Sequence, residues 1–87
     1  MEIDYTEDAK SDLYFWKKTG NKSIQKKINQ LLNSIEETPY SGIGKPEALK
    51  HHLSGLWSRR INSEHRLVYE IDENRNLIIV HSLKGHY

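Results

Sequence analysis

The sequence predicts an α+β fold: a small, mostly antiparallel sheet with two helices packed on one of its faces, in the order β-α-α-β-β-β. Three observations predict it. A 3.6-residue apolar stripe runs through the first half of the chain. The second half carries apolar and β-branched runs separated by polar turns. At 87 residues the chain has the length of one small domain, which we take to span residues 1–87.

The opening segment alternates, Ile3 and Tyr5 against Glu2 and Asp4, as a short strand does. Thr6 then suits an N-cap, with Glu7 and Asp8 at the positive end of a helix. Ala9, Leu13 and Trp16 recur at steps of four and three and form one helical face. Thr19-Gly20-Asn21 ends that helix, with Gly20 as the left-handed residue after the cap. A second helix runs to about Glu37, its apolar face made by Ile24, Ile28, Leu31, Leu32 and Ile35. Pro39 stops it. So short a connection makes the helices an antiparallel pair.

From Thr38 to Gly55 the pattern is irregular, broken by Gly42, Gly44 and Pro46. Pro46-Glu47 is expected to open a short helical turn through Lys50, because proline is favoured at the first helical position. Strands follow at Leu56–Ile61 and His65–Ile71, joined by the Asn62-Ser63-Glu64 loop, and then at Leu77 to about Leu83 after a polar turn.

Composition excludes several classes. The chain has no cysteine, so it has no disulfide framework, thiolate metal site or cysteine nucleophile. Leu77-Ile78-Ile79-Val80 is far shorter than the ~20 apolar residues of a membrane span. The N-terminus has no secretory pattern. These features suit a soluble, cytoplasmic protein. A formal charge of +1 gives no overall field for a nucleic acid, so any basic function comes from local placement.

That placement is in the hairpin. Pairing Ile61 with His65 makes Arg60 the partner of Arg66, Arg59 of Leu67, Ser58 of Val68 and Trp57 of Tyr69. Arg60 and Arg66 then sit side by side on the face away from the helices. Opposed like charges are unfavourable by a few tenths to ~1 kcal/mol. An anion between them offsets this, and phosphate matches the guanidinium fork; alternatively both are solvated surface arginines. The same register puts Arg59 on the core side, where it calls for a carboxylate partner.

In the preceding loop Glu47, Lys50 and His51 are spaced to share one side of a helical turn. Glu47 there is either a tuned base or half of a salt bridge. His51 and His52 are adjacent and point apart, and the chain has no His-x-x-x-His pair; no metal and no cofactor is expected. His86, next to the terminal Tyr87, is a frayed end or, if the last strand runs beside the hairpin, a proton donor reaching the arginine face. Tyr40 and Tyr87 are the aromatic residues available for base stacking.

These residues fall into a recognisable series. Thr38-Pro39-Tyr40, Gly42-x-Gly44-Lys45-Pro46-Glu47-x-Leu49-Lys50-His51, Leu53-Ser54-Gly55-x-Trp57-Ser58-Arg59-Arg60-Ile61, Glu64-His65-Arg66-Leu67-Val68-Tyr69 and the terminal His86-Tyr87 resemble the YoeB/Txe toxins of the RelE-like superfamily. The resemblance covers nearly the whole chain and is tightest from Thr38 to Tyr69.

It implies a RelE-like, microbial-RNase-type fold and the toxin of a type II toxin–antitoxin system. It further implies a metal-independent endoribonuclease that cleaves mRNA, typically in the ribosomal A site. On this resemblance Glu47 is the general base, His86 the general acid and Arg66 the stabiliser of the charged phosphorane. Lys50, His51 and Arg60 bind or steer phosphate, and Tyr87 positions the substrate. The implied partners are a YefM/Phd-like antitoxin, mRNA and the ribosome, operator DNA through the antitoxin alone, and a second copy in a homodimer. His52 stands where an Asn is common, and Ser82-Leu83-Lys84-Gly85 replaces a frequent Cys-Arg stretch. Alternatives from other classes are a non-catalytic RNA- or protein-binding module and a gyrase-inhibiting toxin of the same superfamily.

Overall fold

A computed structural model describes residues 1–85 of the chain. In chain order it contains β1 (Glu2–Tyr5), α1 (Glu7–Lys18), α2 (Lys22–Glu37), β2 (Glu47–Ala48), a single 3₁₀ turn (His51–Leu53), β3 (Trp57–Arg60), β4 (Arg66–Asp72) and β5 (Leu77–Ser82). The sheet order is β1-β5-β4-β3-β2. β1 runs parallel to β5, and every other neighbouring pair is antiparallel. The α+β expectation therefore holds, with one strand more than the sequence suggests.

Each helix starts and stops for a local reason. The Thr6 side chain accepts from the Ala9 amide, and Glu7 and Asp8 occupy the first turn of α1. At the other end, Asn21 N donates to Trp16 O (3.3 Å) and Gly20 N to Lys17 O (3.1 Å), a pair of bonds that needs the left-handed φ of +68° at Gly20. Asn21 then caps α2 by accepting from Ile24 N at 3.1 Å.

The core lies between the helices and one sheet face. Ile24, Ile28, Leu31, Leu32 and Ile35 of α2 pack with Leu67, Tyr69, Ile78 and Val80 of the sheet, and Ala9 and Trp16 come from α1. Along β5 the buried positions are Ile78, Val80 and then, just past its end, Leu83, so the period shifts from two to three. A bulge accounts for it: Tyr69 pairs with Val80 but Val68 with Ser82, leaving His81 as the extra residue. Without the bulge Leu83 would face away from the helices.

The stretch at Pro46–Lys50 differs from expectation. It is extended: Glu47 and Ala48 pair with Ser58 and Trp57, and Leu49 N donates to Leu56 O at 2.9 Å. The backbone of this stretch finds its hydrogen bonds in β3, which outweighs the helix-start preference of Pro-Glu. Proline is tolerated because it sits at the entry to an edge strand. Left-handed φ values at Lys45 (53°) and His51 (58°) bracket the strand and limit it to two paired residues.

Candidate active site

The face of the sheet turned away from the helices carries three of the predicted residues, Glu47, Arg60 and Arg66. The hairpin register is the one the sequence implies: Arg60 opposite Arg66, Arg59 opposite Leu67, Ser58 opposite Val68 and Trp57 opposite Tyr69. Asn62 fixes it. Its Oδ1 accepts from both Glu64 N and His65 N at 2.8 Å, and Ile61 N donates to His65 O at 2.9 Å, closing the loop in one geometry.

Directly opposed residues in an antiparallel ladder point to the same side, as do residues two apart on one strand. Glu47 is opposite Ser58, and Ser58 is two residues from Arg60. Glu47, Ser58, Arg60 and Arg66 therefore share one face. Arg66 Nη1 donates to Ser58 Oγ at 3.2 Å, linking β4 to β3 beneath the arginine pair. Ser58 is fully buried, Arg66 half-buried, and Arg60 and Glu47 exposed. Sequence reasoning gave Ser58 no role. The signal was present in its position on the same strand face as Arg60.

Glu47, Lys50 and His51 line one open groove of 480 Å³, together with Ala48, Leu49, His52 and Leu53. The three are gathered by an extended segment and its following turn, not by the helical turn expected for them. A second groove of 320 Å³, between α2 and the β3–β4 loop, contains none of the predicted residues.

His86 and Tyr87, expected as acid and substrate-positioning residue, lie outside the described residues. The segment leading to them is firmly held. Leu83 N donates to Asp12 Oδ2 and Trp16 Nε1 donates to Leu83 O, both at 2.9 Å. Gly85 N donates to His65 Nδ1 at 2.9 Å, and Arg66 N donates to Gly85 O at 2.8 Å. The chain thus passes beside Arg66 at the residue preceding His86.

Tyr40 is placed differently from expectation. Its ring packs on Trp57 with centroids 5.0 Å apart, and its hydroxyl donates to Glu73 Oε1 at 3.3 Å. Trp57 alternates with Ser58, so Tyr40 lies on the far side of the sheet from the arginine pair. Desolvation, followed by the nearby Glu73 carboxylate, holds the Tyr40 phenol above its ordinary range. Among the described residues no group of three or more histidines and carboxylates is arranged to hold a metal ion.

A family model for the YoeB-like toxin of bacterial type II toxin-antitoxin systems matches residues 5–87. The chain belongs to that family. Toxin YoeB of Synechocystis is 52% identical over all of this chain and 98% of its own length. Among solved structures, a YoeB/ParE toxin from Agrobacterium tumefaciens superimposes with a TM-score of 0.95 at 38% identity, with all of both chains covered. A YoeB–YefM complex and a YoeB dimer, both from Staphylococcus aureus, give 0.88 at 46% identity and 0.89 at 45%, each covering all of this chain and 98% of the other. The family and the RelE-like fold implied by the sequence motifs are therefore established. Among the described residues no helix is long and apolar enough to cross a membrane.

Proposed function

We propose that the chain is a metal-independent endoribonuclease that cleaves mRNA, with the ribosomal A site as the setting, and so arrests translation. The observation that carries the reading is the convergence of Glu47, Ser58, Arg60 and Arg66 on one sheet face. A carboxylate beside paired guanidinium groups is the equipment for attack by a 2′-hydroxyl on its neighbouring phosphate.

Glu47 takes the proton from the 2′-OH as the oxygen attacks phosphorus. Negative charge builds on the nonbridging oxygens, and Arg66, assisted by Arg60, is fixed in advance to meet it. The bond from phosphorus to the 5′-oxygen breaks, and His86 supplies the proton to that leaving oxygen. The products are a 2′,3′-cyclic phosphate and a 5′-hydroxyl. Lys50 and His51 hold the RNA backbone along the groove they share with Glu47, and Tyr87 orients the substrate. No cofactor takes part.

The partners follow from family membership. A YefM-type antitoxin would cover the site and carry the operator-DNA contacts, and two copies of the toxin would pair as in the Staphylococcus aureus relatives. The cytoplasm is where its substrate and antitoxin meet it.

The test is cleavage of mRNA on programmed ribosomes by Glu47→Ala, Arg66→Ala and His86→Ala, each shown to be folded by circular dichroism, alongside growth arrest on expression. Loss of cleavage and of growth arrest is expected in all three. Full activity in any of them removes the role given to that residue, and full activity in all three removes the enzyme.

A further inference from the structure

Arg59 is the buried side chain that the proposed chemistry leaves unused. It is 0% exposed, and among the described residues its guanidinium meets carbonyl and hydroxyl oxygens rather than the carboxylate its position called for. Instead its guanidinium points into the irregular segment between α2 and β2. Nη2 donates to Thr38 O and Ser41 O, both at 2.7 Å. Nη1 donates to Ile43 O at 3.1 Å and Ser34 Oγ at 2.8 Å. Nε donates to Tyr69 Oη at 3.1 Å, and that hydroxyl in turn donates to Pro39 O at 2.7 Å. All five N–H donors of the fork are used. A lysine, with three donors on a point charge, cannot reproduce this.

The loop fits its clamp closely. A Cβ at Gly42 would come within 2.5 Å of Ser34 Oγ and 3.2 Å of Arg59 Nη1, and one at Gly44 within 3.1 Å of Arg59 Cβ. Gly44 O then accepts from Arg60 N at 2.7 Å, and three residues later the chain reaches Glu47. β2 has two paired residues at the sheet edge. Such a short ladder leaves the approach direction of Glu47 to be set by the segment before it.

We infer that Arg59 is a positioning residue for Glu47: by gathering three carbonyls of the 38–43 segment around a buried guanidinium, it fixes where β2 begins and so where the carboxylate stands relative to Arg60 and Arg66. This rests on the role proposed above for Glu47. Neighbouring arginines on one strand then divide the work, Arg59 organising the loop from the core side and Arg60 facing the substrate.

The experiment compares wild type, Arg59→Lys and the milder Ser34→Ala, which removes one acceptor of the clamp. Each is made with Glu47 intact and in a Glu47→Gln background. Thermal unfolding reports the folded state, single-turnover cleavage of ribosome-bound mRNA the chemical step, and binding of a 2′-deoxy mRNA the affinity. In folded variants the cleavage rate is expected to fall about 10- to 100-fold, the effect of a small displacement of a reacting group. RNA affinity should stay within about 2-fold, and the same changes should do little to the residual rate of Glu47→Gln, since residues acting through one another are not additive. Should Arg59→Lys not fold, Ser34→Ala carries the comparison. Wild-type cleavage by the folded variants, affinity falling in step with rate, or an undiminished effect in the Glu47→Gln background each overturn the inference. Wild-type cleavage by Glu47→Gln itself would instead remove the role of Glu47.

Discussion

Arg60 and Arg66 are cross-strand partners on the β3–β4 ladder, two like charges side by side, and among the described residues Arg66 is the one of the two whose side chain is tied down, to Ser58 Oγ at 3.2 Å. The two should respond differently to removal. Arg60→Ala relieves repulsion at an exposed position and is expected to raise stability by a few tenths of a kcal/mol. Arg66→Ala takes a partner from the buried Ser58 hydroxyl and is expected to cost ~1 kcal/mol. Cleavage should fall in both, by about 10²- to 10³-fold for Arg66→Ala and less for Arg60→Ala. Denaturant unfolding beside a cleavage assay checks the opposite signs.

Tyr69 links alkaline pH to the fold. Burial raises its phenol above the ordinary value, against the smaller lowering effect of Arg59. A group whose folded value is raised favours the protonated folded state. Its contribution is complete below the unfolded value of ~10 and is lost as pH rises through the higher folded value. Wild-type stability should therefore decline above about pH 10 with a component missing from Tyr69→Phe. At neutral pH Tyr69→Phe should be less stable by ~1–3 kcal/mol, because Arg59 Nε and Pro39 O each lose a partner. Denaturant melts of both proteins at several pH values, with phenolate absorbance followed in parallel, measure the two effects.

Two glycines separate backbone strain from collision. Gly20 (φ +68°) has nothing within 4 Å of an added Cβ, whereas at Gly44 (φ +83°) that atom would lie 2.6 Å from Leu31 Cδ2 and 3.3 Å from Arg60 O. Gly20→Ala should cost ~1–2 kcal/mol from the left-handed conformation alone. Gly44→Ala should cost more, and should also lower cleavage, since the collision lies in the segment leading to Glu47. Equal melting shifts for the two would contradict this.

Removal of divalent ions should leave cleavage unchanged, because Glu47 and His86 are given the two proton transfers. A chelator titration with purified protein checks it, provided that Mg²⁺-dependent ribosomes are replaced by a short RNA at high enzyme concentration. Loss of activity restored by one added ion would contradict the mechanism.

Much of the fold was legible because local chemistry and long-range packing agree. Thr6, Gly20 and Asn21 mark helix ends, the α2 stripe marks the core face, and Asn62 sets the hairpin register that brings Arg60 beside Arg66. Three features were not legible. The segment at Glu47 carries a helix-start pattern, and only pairing with β3, a contact across intervening chain, makes it extended. The bulge at His81 lies in the pairing of β5 with β4, and the apolar run from Leu77 to Leu83 alone suits one uninterrupted strand. Arg59 called for a carboxylate because an isolated strand cannot reveal that carbonyls of a distant loop will surround it. Of the proposed site, Glu47, Lys50, His51, Arg60 and Arg66 could be placed; His86 and Tyr87 lie outside the described residues, and their roles rest on the family motif and on the anchoring of Gly85 beside Arg66.

The most direct test of the 2′-hydroxyl mechanism is cleavage, by the wild-type protein, of a ribosome-bound mRNA carrying one 2′-deoxynucleotide immediately 5′ of the scissile phosphate. The mechanism predicts no cut at that bond, with the matched all-ribose message cut to a 2′,3′-cyclic phosphate end. Cleavage of the substituted bond at the ribose rate would contradict it.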